Sequence, residues 1–243
     1  MKKTVFIIAL SLLAIKGFAQ PTADYLGIGF GFGTPVGAFA ATNSDYYDKA
    51  GFASTGGSFN INYVHKFNEW FGLAASTFSA SNGVKTGRLL DVSGENYVDL
   101  RSNSNASSLL VGGYFKQSDF PIYAKAMIGF GAVQTAGMRF YDNSGEVTFE
   151  QSDPTFGFAY SLGVGAFVPI GYRWALTASV DFVSIVAKPN VTVIDNGNVS
   201  TGPTFSYNQN FINGQIGIGY MFGPRYHRHV VKRPVQESRR GQY

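Results

Sequence analysis

Large apolar residues alternate with small residues near both ends of the chain. The large ones are Leu26, Ile28, Phe30 and Phe32 in the first stretch and Ile216, Ile218, Tyr220 and Phe222 in the last. Glycine fills every position between the first four and two of the three between the last four. Because side chains of a β-strand change face at every residue, each stretch predicts a strand with one apolar and one nearly bare face. The shared pattern predicts that the first and last strands pair and close a barrel.

Eight alternating segments follow one another, each close to the roughly 9 to 11 residues with which a tilted strand crosses a bilayer. They are residues 25–33, 58–67, 71–80, 108–115, 122–133, 156–168, 174–183 and 210–222. Three connections are short and four are long, a segregation typical of barrels of the bacterial outer membrane. The sequence predicts an all-β fold, an eight-stranded antiparallel up-and-down transmembrane β-barrel with short periplasmic turns and long outer loops.

The segment 156–168 indicates which face of the barrel is apolar. Every second residue from Phe156 to Val168 is apolar and mostly large, whereas the opposite face is mostly glycine, alanine and serine. In a lipocalin-like soluble barrel the large residues would turn inward, where they would overfill eight strands and leave glycines in water. We therefore place the apolar face against lipid and the small residues in the lumen.

The inward phase also carries polar and charged residues. The predicted lumen residues include Lys66, Tyr123, Lys125, Asp181 and Gln215. A buried charge requires a partner, so we expect Lys125 or Lys66 to be paired or hydrated in the lumen. Since side chains can just fill the interior of eight strands, we expect no wide channel.

Aromatic residues cluster at the short-turn ends of the segments. The predicted interface girdle consists of Tyr25, Trp70, Phe71, Tyr114, Tyr172 and Trp174. Amphipathic rings favour the membrane interface, and both tryptophans of the chain belong to this set. Ordinary aromatic packing at hairpin ends is the alternative.

Both ends of the chain are predicted to lie outside the barrel. Lys2 and Lys3 precede an uncharged apolar run, and Gly17 and Ala19 offer small residues before Gln20, which predicts a signal peptide at 1–19. The barrel then spans 20–222. Residues 223–243 are predicted to be a basic, disordered periplasmic tail, with electrostatic contact to anionic lipid headgroups or to an acidic partner as the alternative. The net positive charge is confined to the two ends, because acidic residues outnumber basic ones in 20–222, so we expect no nucleic-acid partner.

Residues suited to catalysis or metal binding are scarce. The chain has no cysteine, and its histidines are His65, His227 and His229. His65 shares its phase with the apolar residues Ile61 and Tyr63 and is expected to face lipid near the interface. An acyltransferase or deacylase of the outer membrane would need a histidine beside a serine and a carboxylate near the outer leaflet, and the sequence offers none there. We therefore expect no enzyme, no cofactor and no metal site.

On these patterns the chain resembles the small outer-membrane β-barrels of Gram-negative bacteria, such as OmpX and the membrane domain of OmpA, often labelled porin-family proteins. The resemblance rests on the opening strand with the following Pro35 and Gly37, on the aromatic-flanked turns and on the last strand. It implies localisation in the outer membrane. It also implies that Ile216, Ile218, Tyr220 and Phe222 are the signal for the outer-membrane assembly machinery, although simple members usually end at this point.

Three of the four long loops contain a strand, turn and strand pattern. The paired segments are 88–92 with 96–100, 138–141 with 146–149, and 191–194 with 199–201, and Asn196 with Gly197 is the strongest turn. We expect these loops to continue the sheet beyond the membrane, where a free edge can capture a partner strand. Candidate adhesive residues are Tyr46, Tyr47, Tyr97, Phe140 and Tyr141. Simple stiffening of the loops is the alternative.

Two functions remain open at this point. One is a structural or adhesive protein that presents loop hairpins to an extracellular protein or surface ligand. The other is a narrow channel for ions or small solutes. An enzyme that modifies outer-membrane lipid is a distant third.

Overall fold

The computed structural model describes residues 24–42, 50–68, 70–93, 97–116, 121–141, 145–170, 172–205 and 208–222. Its elements are β1 (Asp24–Val36), β2 (Gly56–Lys66), β3 (Phe71–Asn82), α1 (Thr86–Ser93), β4 (Tyr97–Ser102), β5 (Ser104–Lys116), β6 (Ile122–Gln134), β7 (Gly137–Tyr141), β8 (Glu146–Phe149), β9 (Thr155–Pro169), β10 (Trp174–Val186), β11 (Asn190–Asp195), β12 (Asn198–Thr204) and β13 (Gln209–Phe222). The predicted signal peptide, the basic tail, Tyr46 and Tyr47 lie outside the described residues.

Eight strands form a closed antiparallel barrel in the order β1-β13-β10-β9-β6-β5-β3-β2. β1 pairs with β13 without interruption, from Asp24 opposite Phe222 to Val36 opposite Asn210, and β1 also pairs with β2. The predicted strands and their closure are therefore confirmed. Several strands extend farther toward the long loops than the alternation indicates; β5, for example, begins at Ser104.

The outer face of the barrel wall is apolar. Phe30, Phe130, Phe156 and Ile216 are all exposed, together with most other large residues of the outward phase. Water around so much contiguous apolar surface would be unfavourable, whereas an outward apolar band is typical of a barrel in a bilayer. The barrel is therefore transmembrane. Its short turns, the start of β1 and the end of β13 lie on the periplasmic side.

Three of the loops form a second sheet of five strands in the order β12-β11-β8-β7-β4. The hairpins β7–β8 and β11–β12 are confirmed, but this outer sheet is separate from the barrel sheet that the loops were expected to continue. Between β6 and β7 the backbone leaves the barrel ladder. There Thr135 N–H donates to Ser152 Oγ at 3.0 Å, and Ser152 N–H donates to Thr135 Oγ1 at 3.1 Å.

The prediction of a strand at 88–92 is wrong, because these residues belong to the helix α1. Leu89 is fully buried and joins Phe52, Val98 and Phe140 in an apolar cluster beneath the outer sheet, with Leu90 packed against it. Leu89 and Leu90 lie on one side of a helical turn, while Arg88 and Asp91 form an exposed pair at 3.6 Å. Burial of the leucine pair favours a helix over the expected strand.

The barrel has its own core, distinct from this outer cluster. Toward the loops, a short 3₁₀ turn at Gly37–Phe39 directs Phe39 inward, where its ring lies 5.3 Å from that of Phe211. Phe78 contacts Phe211 from the opposite wall at 5.4 Å. The outer end of the lumen is therefore filled by aromatic rings. In the described part of the chain, no helix has the length and apolarity needed to cross a membrane.

Candidate functional surfaces

The middle of the lumen contains an ion pair. Lys125 Nζ lies 3.0 Å from Asp181 Oδ1, and the two side chains are only 6% and 4% exposed. Ser179 Oγ donates to the other carboxylate oxygen at 3.0 Å. The pairing expected for Lys125 is therefore present, and it neutralises both charges inside the barrel.

This ion pair depends on a glycine that lies between its partners. Lys125 of β6 and Asp181 of β10 both stand opposite Gly163 of the intervening strand β9. A Cβ at Gly163 would overlap the Asp181 carboxylate and crowd the Lys125 side chain. Because Gly163 has no side chain, Lys125 of β6 and Asp181 of β10 reach each other across β9, although β6 and β10 are not neighbouring strands.

The glycines of β1 have the same role on the opposite wall. Asn60 of β2 donates its side-chain N–H to Gln215 Oε1 of β13 across β1, and a Cβ at Gly29 would overlap the Asn60 amide and touch that of Gln215. Ser58 Oγ likewise donates to Asn213 Oδ1 at 2.6 Å. The alternating glycines of the first strand therefore make room for hydrogen bonds between its two neighbours.

The periplasmic part of the lumen is largely filled by aromatic rings. The rings of Tyr114 and Tyr123 lie 5.1 Å apart, and Lys66 Nζ lies 5.1 Å from the centre of the Phe167 ring. A cavity of about 30 Å³ remains among these side chains, which is room for about two water molecules. Lys66, Tyr123, Lys125 and Gln215 all line it.

Two residues assigned to the girdle lie inside the barrel. Tyr25 is 6% exposed and packs edge-on against Phe167 at 5.2 Å, and Tyr114 is 4% exposed. Both side chains point into the barrel, whereas that of the adjacent residue in the sequence, for example Phe115 after Tyr114, points outward. The position of these two residues at strand ends suggested the girdle, but the face of the strand on which a side chain lies decides whether it reaches the membrane.

The other girdle residues lie on the outer wall at the periplasmic end. Trp70, Tyr172 and Trp174 are exposed, and the ring of Phe71 stacks on Phe67 and contacts Phe115. The residues of the predicted assembly signal, Ile216, Ile218, Tyr220 and Phe222, lie on the outward face of β13. Their reading by assembly machinery stays a prediction.

Three polar residues at the periplasmic rim form a group that the sequence patterns did not identify. His65 Nδ1 lies 2.9 Å from Asp24 Oδ1, and Tyr63 O–H donates to Asp24 Oδ2 at 2.9 Å. Asp24 is the first residue of β1, and the register of β1 with β2, in which Tyr25 stands opposite Val64, brings Asp24 beside His65. In the described ranges, no group of three or more His, Cys, Asp or Glu residues has the arrangement of a metal site.

The outer sheet has one buried and one exposed face. Val98, Phe140 and Val147 stand in one row of paired residues over the apolar cluster. The alternate positions turn the opposite way and carry Tyr97, Arg139 and other polar residues. The pKa of Arg139 is raised mainly by its hydrogen bond to the Tyr141 hydroxyl and also by the nearby Glu146 carboxylate, because both favour the charged guanidinium.

A closed eight-stranded barrel with an apolar outer wall, a filled interior and long outer loops is a small transmembrane β-barrel of the bacterial outer membrane. The chain is similar to several solved outer-membrane proteins. Ail, the attachment invasion locus protein of Yersinia pestis, has 16% identity and a TM-score of 0.47, covering 84% of this chain and 100% of Ail.

Two further similar structures are a major outer membrane protein of Thermus thermophilus and OprG of Pseudomonas aeruginosa. The first has 13% identity and a TM-score of 0.48, covering 82% of this chain and 100% of that chain. OprG has 13% identity and a TM-score of 0.46, covering 85% and 99%. No protein-family description and no curated protein matches this sequence.

Proposed function

We propose that this protein is a closed outer-membrane barrel that displays the outer sheet to an extracellular protein. The observation that carries the proposal is the construction of this sheet, in which five strands from three loops pack on one apolar cluster. A loop that only connects two strands does not require a core of its own. A sheet with a core holds its exposed face in a fixed shape, which lowers the entropy lost on binding.

The exposed face of the outer sheet has the composition of a binding surface. The rings of Tyr97 and Tyr141 lie 5.8 Å apart, and Arg139 Nε lies 2.9 Å from Glu146 Oε1. Val199 on β12, the strand at the other edge of the same sheet, is 71% exposed. Tyrosine and arginine are enriched among the residues that dominate binding energy at protein interfaces, which favours a protein as the partner.

The strand β12 adds a free edge to this surface. Among the described strands it pairs only with β11, so its other side presents unpaired backbone groups. An extended segment of a partner is able to add to such an edge. Pro203 has no N–H, so strand addition is expected along 198–202 rather than along the whole strand.

The interior argues against the channel as the main function. Side chains join across the lumen at the Lys125–Asp181 pair and at the Asn60–Gln215 hydrogen bond. The cavity near them is about 30 Å³, which accommodates water molecules rather than a solute path.

The proposal is tested with cells that display the protein. Tyr97→Ser and Tyr141→Ser together are expected to lower adhesion to a panel of immobilised extracellular proteins about ten-fold or more, as loss of dominant interface residues does. Tyr172→Ser is the matched control, because Tyr172 is 88% exposed at the opposite end of the barrel. Surface amounts are equalised by antibody labelling. Adhesion no greater than that of cells lacking the protein would contradict the proposal.

A further inference from the structure

Arg173 attaches the turn between β9 and β10 to the end of β13. The backbone carbonyl of Arg173 accepts a hydrogen bond from Met221 N–H at 2.7 Å. Its side chain lies over Tyr220, with Cζ 5.7 Å from the ring centre, and Nη1 donates to the Tyr220 hydroxyl. Arg173 is therefore held at the periplasmic rim, beside the outward face of β13.

Aromatic rings surround this arginine on the outer wall. The ring of Tyr220 meets Trp174 edge-on at 5.3 Å and Phe222 edge-on at 5.0 Å. Trp174 and Phe222 are exposed, and Tyr172 is the most exposed large hydrophobic residue of the described chain. We call Tyr172, Arg173, Trp174, Tyr220 and Phe222 the rim patch. It lies at the depth where interfacial rings and lipid headgroups meet.

The charge of the rim patch is not neutralised by the described part of the protein. No ion pair there involves Arg173, and the nearby carboxylate Asp24 is engaged with His65 and Tyr63. Because the Tyr220 oxygen accepts from Arg173, its own O–H is left to donate to another group. The Trp174 ring N–H has no hydrogen-bond partner among the described residues. Three kinds of donor therefore meet beside the lipid.

We propose that the rim patch binds the phosphate of an anionic phospholipid in the periplasmic leaflet of the outer membrane. The planar guanidinium of Arg173 matches two phosphate oxygens, and Tyr220 and Trp174 donate to the remaining headgroup oxygens. The exposed rings pack against the glycerol and the first methylenes. This site lies at the opposite end of the barrel from the outer sheet, so it goes beyond the function proposed above and does not depend on it.

The experiment uses Trp174 as a reporter. The chain has two tryptophans, so Trp70→Phe leaves Trp174 alone in the barrel refolded into vesicles. Quenching by phosphatidylglycerol with brominated acyl chains is compared with quenching by the equivalent phosphatidylcholine. We expect about a five-fold preference for phosphatidylglycerol, the size expected of one arginine near a membrane surface. Arg173→Gln should remove the preference and Arg173→Lys should keep part of it.

Two controls separate a site from general attraction of lipid to the barrel. With Trp174→Phe, the remaining Trp70 should report the same quenching whether or not Arg173→Gln is also present. Lys116→Gln removes a positive charge at the same end but on the inward phase of β5, and should leave the Trp174 preference intact. Equal quenching by both lipids, or an unchanged preference in Arg173→Gln, would overturn the proposal. Native β-sheet content by circular dichroism shows that each variant has folded.

Discussion

At the scale of single residues, we expect the ion pair in the lumen to be the most sensitive point of the barrel, because both charges are buried. Asp181→Asn leaves the Lys125 charge without its partner in a site that is 6% exposed. Removal of one partner of a buried pair costs about 3–5 kcal/mol, whereas replacement of both by apolar residues is often neutral. We expect Asp181→Asn to lower the free energy of unfolding by about that amount, as measured by urea titration in vesicles.

The matched double variant Lys125→Met with Asp181→Leu should regain most of this loss. Glu146→Gln is the surface control, because its partner Arg139 lies on the outer sheet and ion pairs in contact with water contribute little to stability. If Asp181→Asn were no more destabilising than Glu146→Gln, the lumen would be hydrated enough to solvate the free lysine. The ion pair would then not be the most sensitive point of the barrel.

The alternation of the sequence predicts that Lys125 and Asp181 point inward, but it does not predict that they meet. Their contact requires both residues to stand opposite Gly163, and that depends on the register of three strands. Register is set by how whole strands and turns fit together. The inward position of Tyr25 and Tyr114, by contrast, follows from the alternation alone, because strand phase, not closeness to a turn, decides whether an aromatic ring faces lipid.

At the scale of elements, the hairpin β11–β12 holds the exposed edge of the outer sheet. Its turn places Asn196 and Gly197 at φ 46° and 84°, the conformation of a two-residue hairpin turn. A Cβ at Gly197 would meet nothing within 4 Å, so the effect of a substitution there is conformational. Left-handed backbone costs a branched residue roughly 1–2 kcal/mol.

We expect Gly197→Val to speed amide hydrogen exchange along 190–204 by about ten-fold, with exchange in the barrel strands unchanged. Ser200→Val is the control, because Ser200 lies in the same hairpin on extended backbone opposite Val193. Equal exchange rates in Gly197→Val and the parent protein would show that the hairpin does not rely on this turn.

The elements differ in how far the sequence reveals them. Barrel strands follow from local alternation, and the turn at Asn196 follows from two residues. The pairing of β4 with β7 and of β8 with β11 joins different loops, and no local pattern specifies such contacts. The helix α1 escaped prediction for the same reason, since burial of Leu89 under the sheet favours it.

At the scale of the whole molecule, the lumen is closed at successive levels. Tyr114 and Tyr123 lie toward the periplasm, the Lys125–Asp181 pair lies in the middle, and Phe211 lies toward the loops with Phe39 and Phe78 around it. A barrel of eight strands has little interior to spare. The closure therefore involves side chains from many strands, and one substitution cannot remove it.

This arrangement predicts how the refolded barrel behaves in a planar bilayer. The parent protein should show no steady unitary current. Tyr123→Ala and Phe211→Ala alone should also stay silent, because each leaves the other level closed. Combined with Lys125→Ala and Asp181→Ala, which open the middle level, they should permit small currents, since all three levels are then widened. Phe115→Ala is the control, because Phe115 adjoins Tyr114 but faces lipid. Steady currents from the parent protein would favour the narrow channel over the closed, surface-binding barrel.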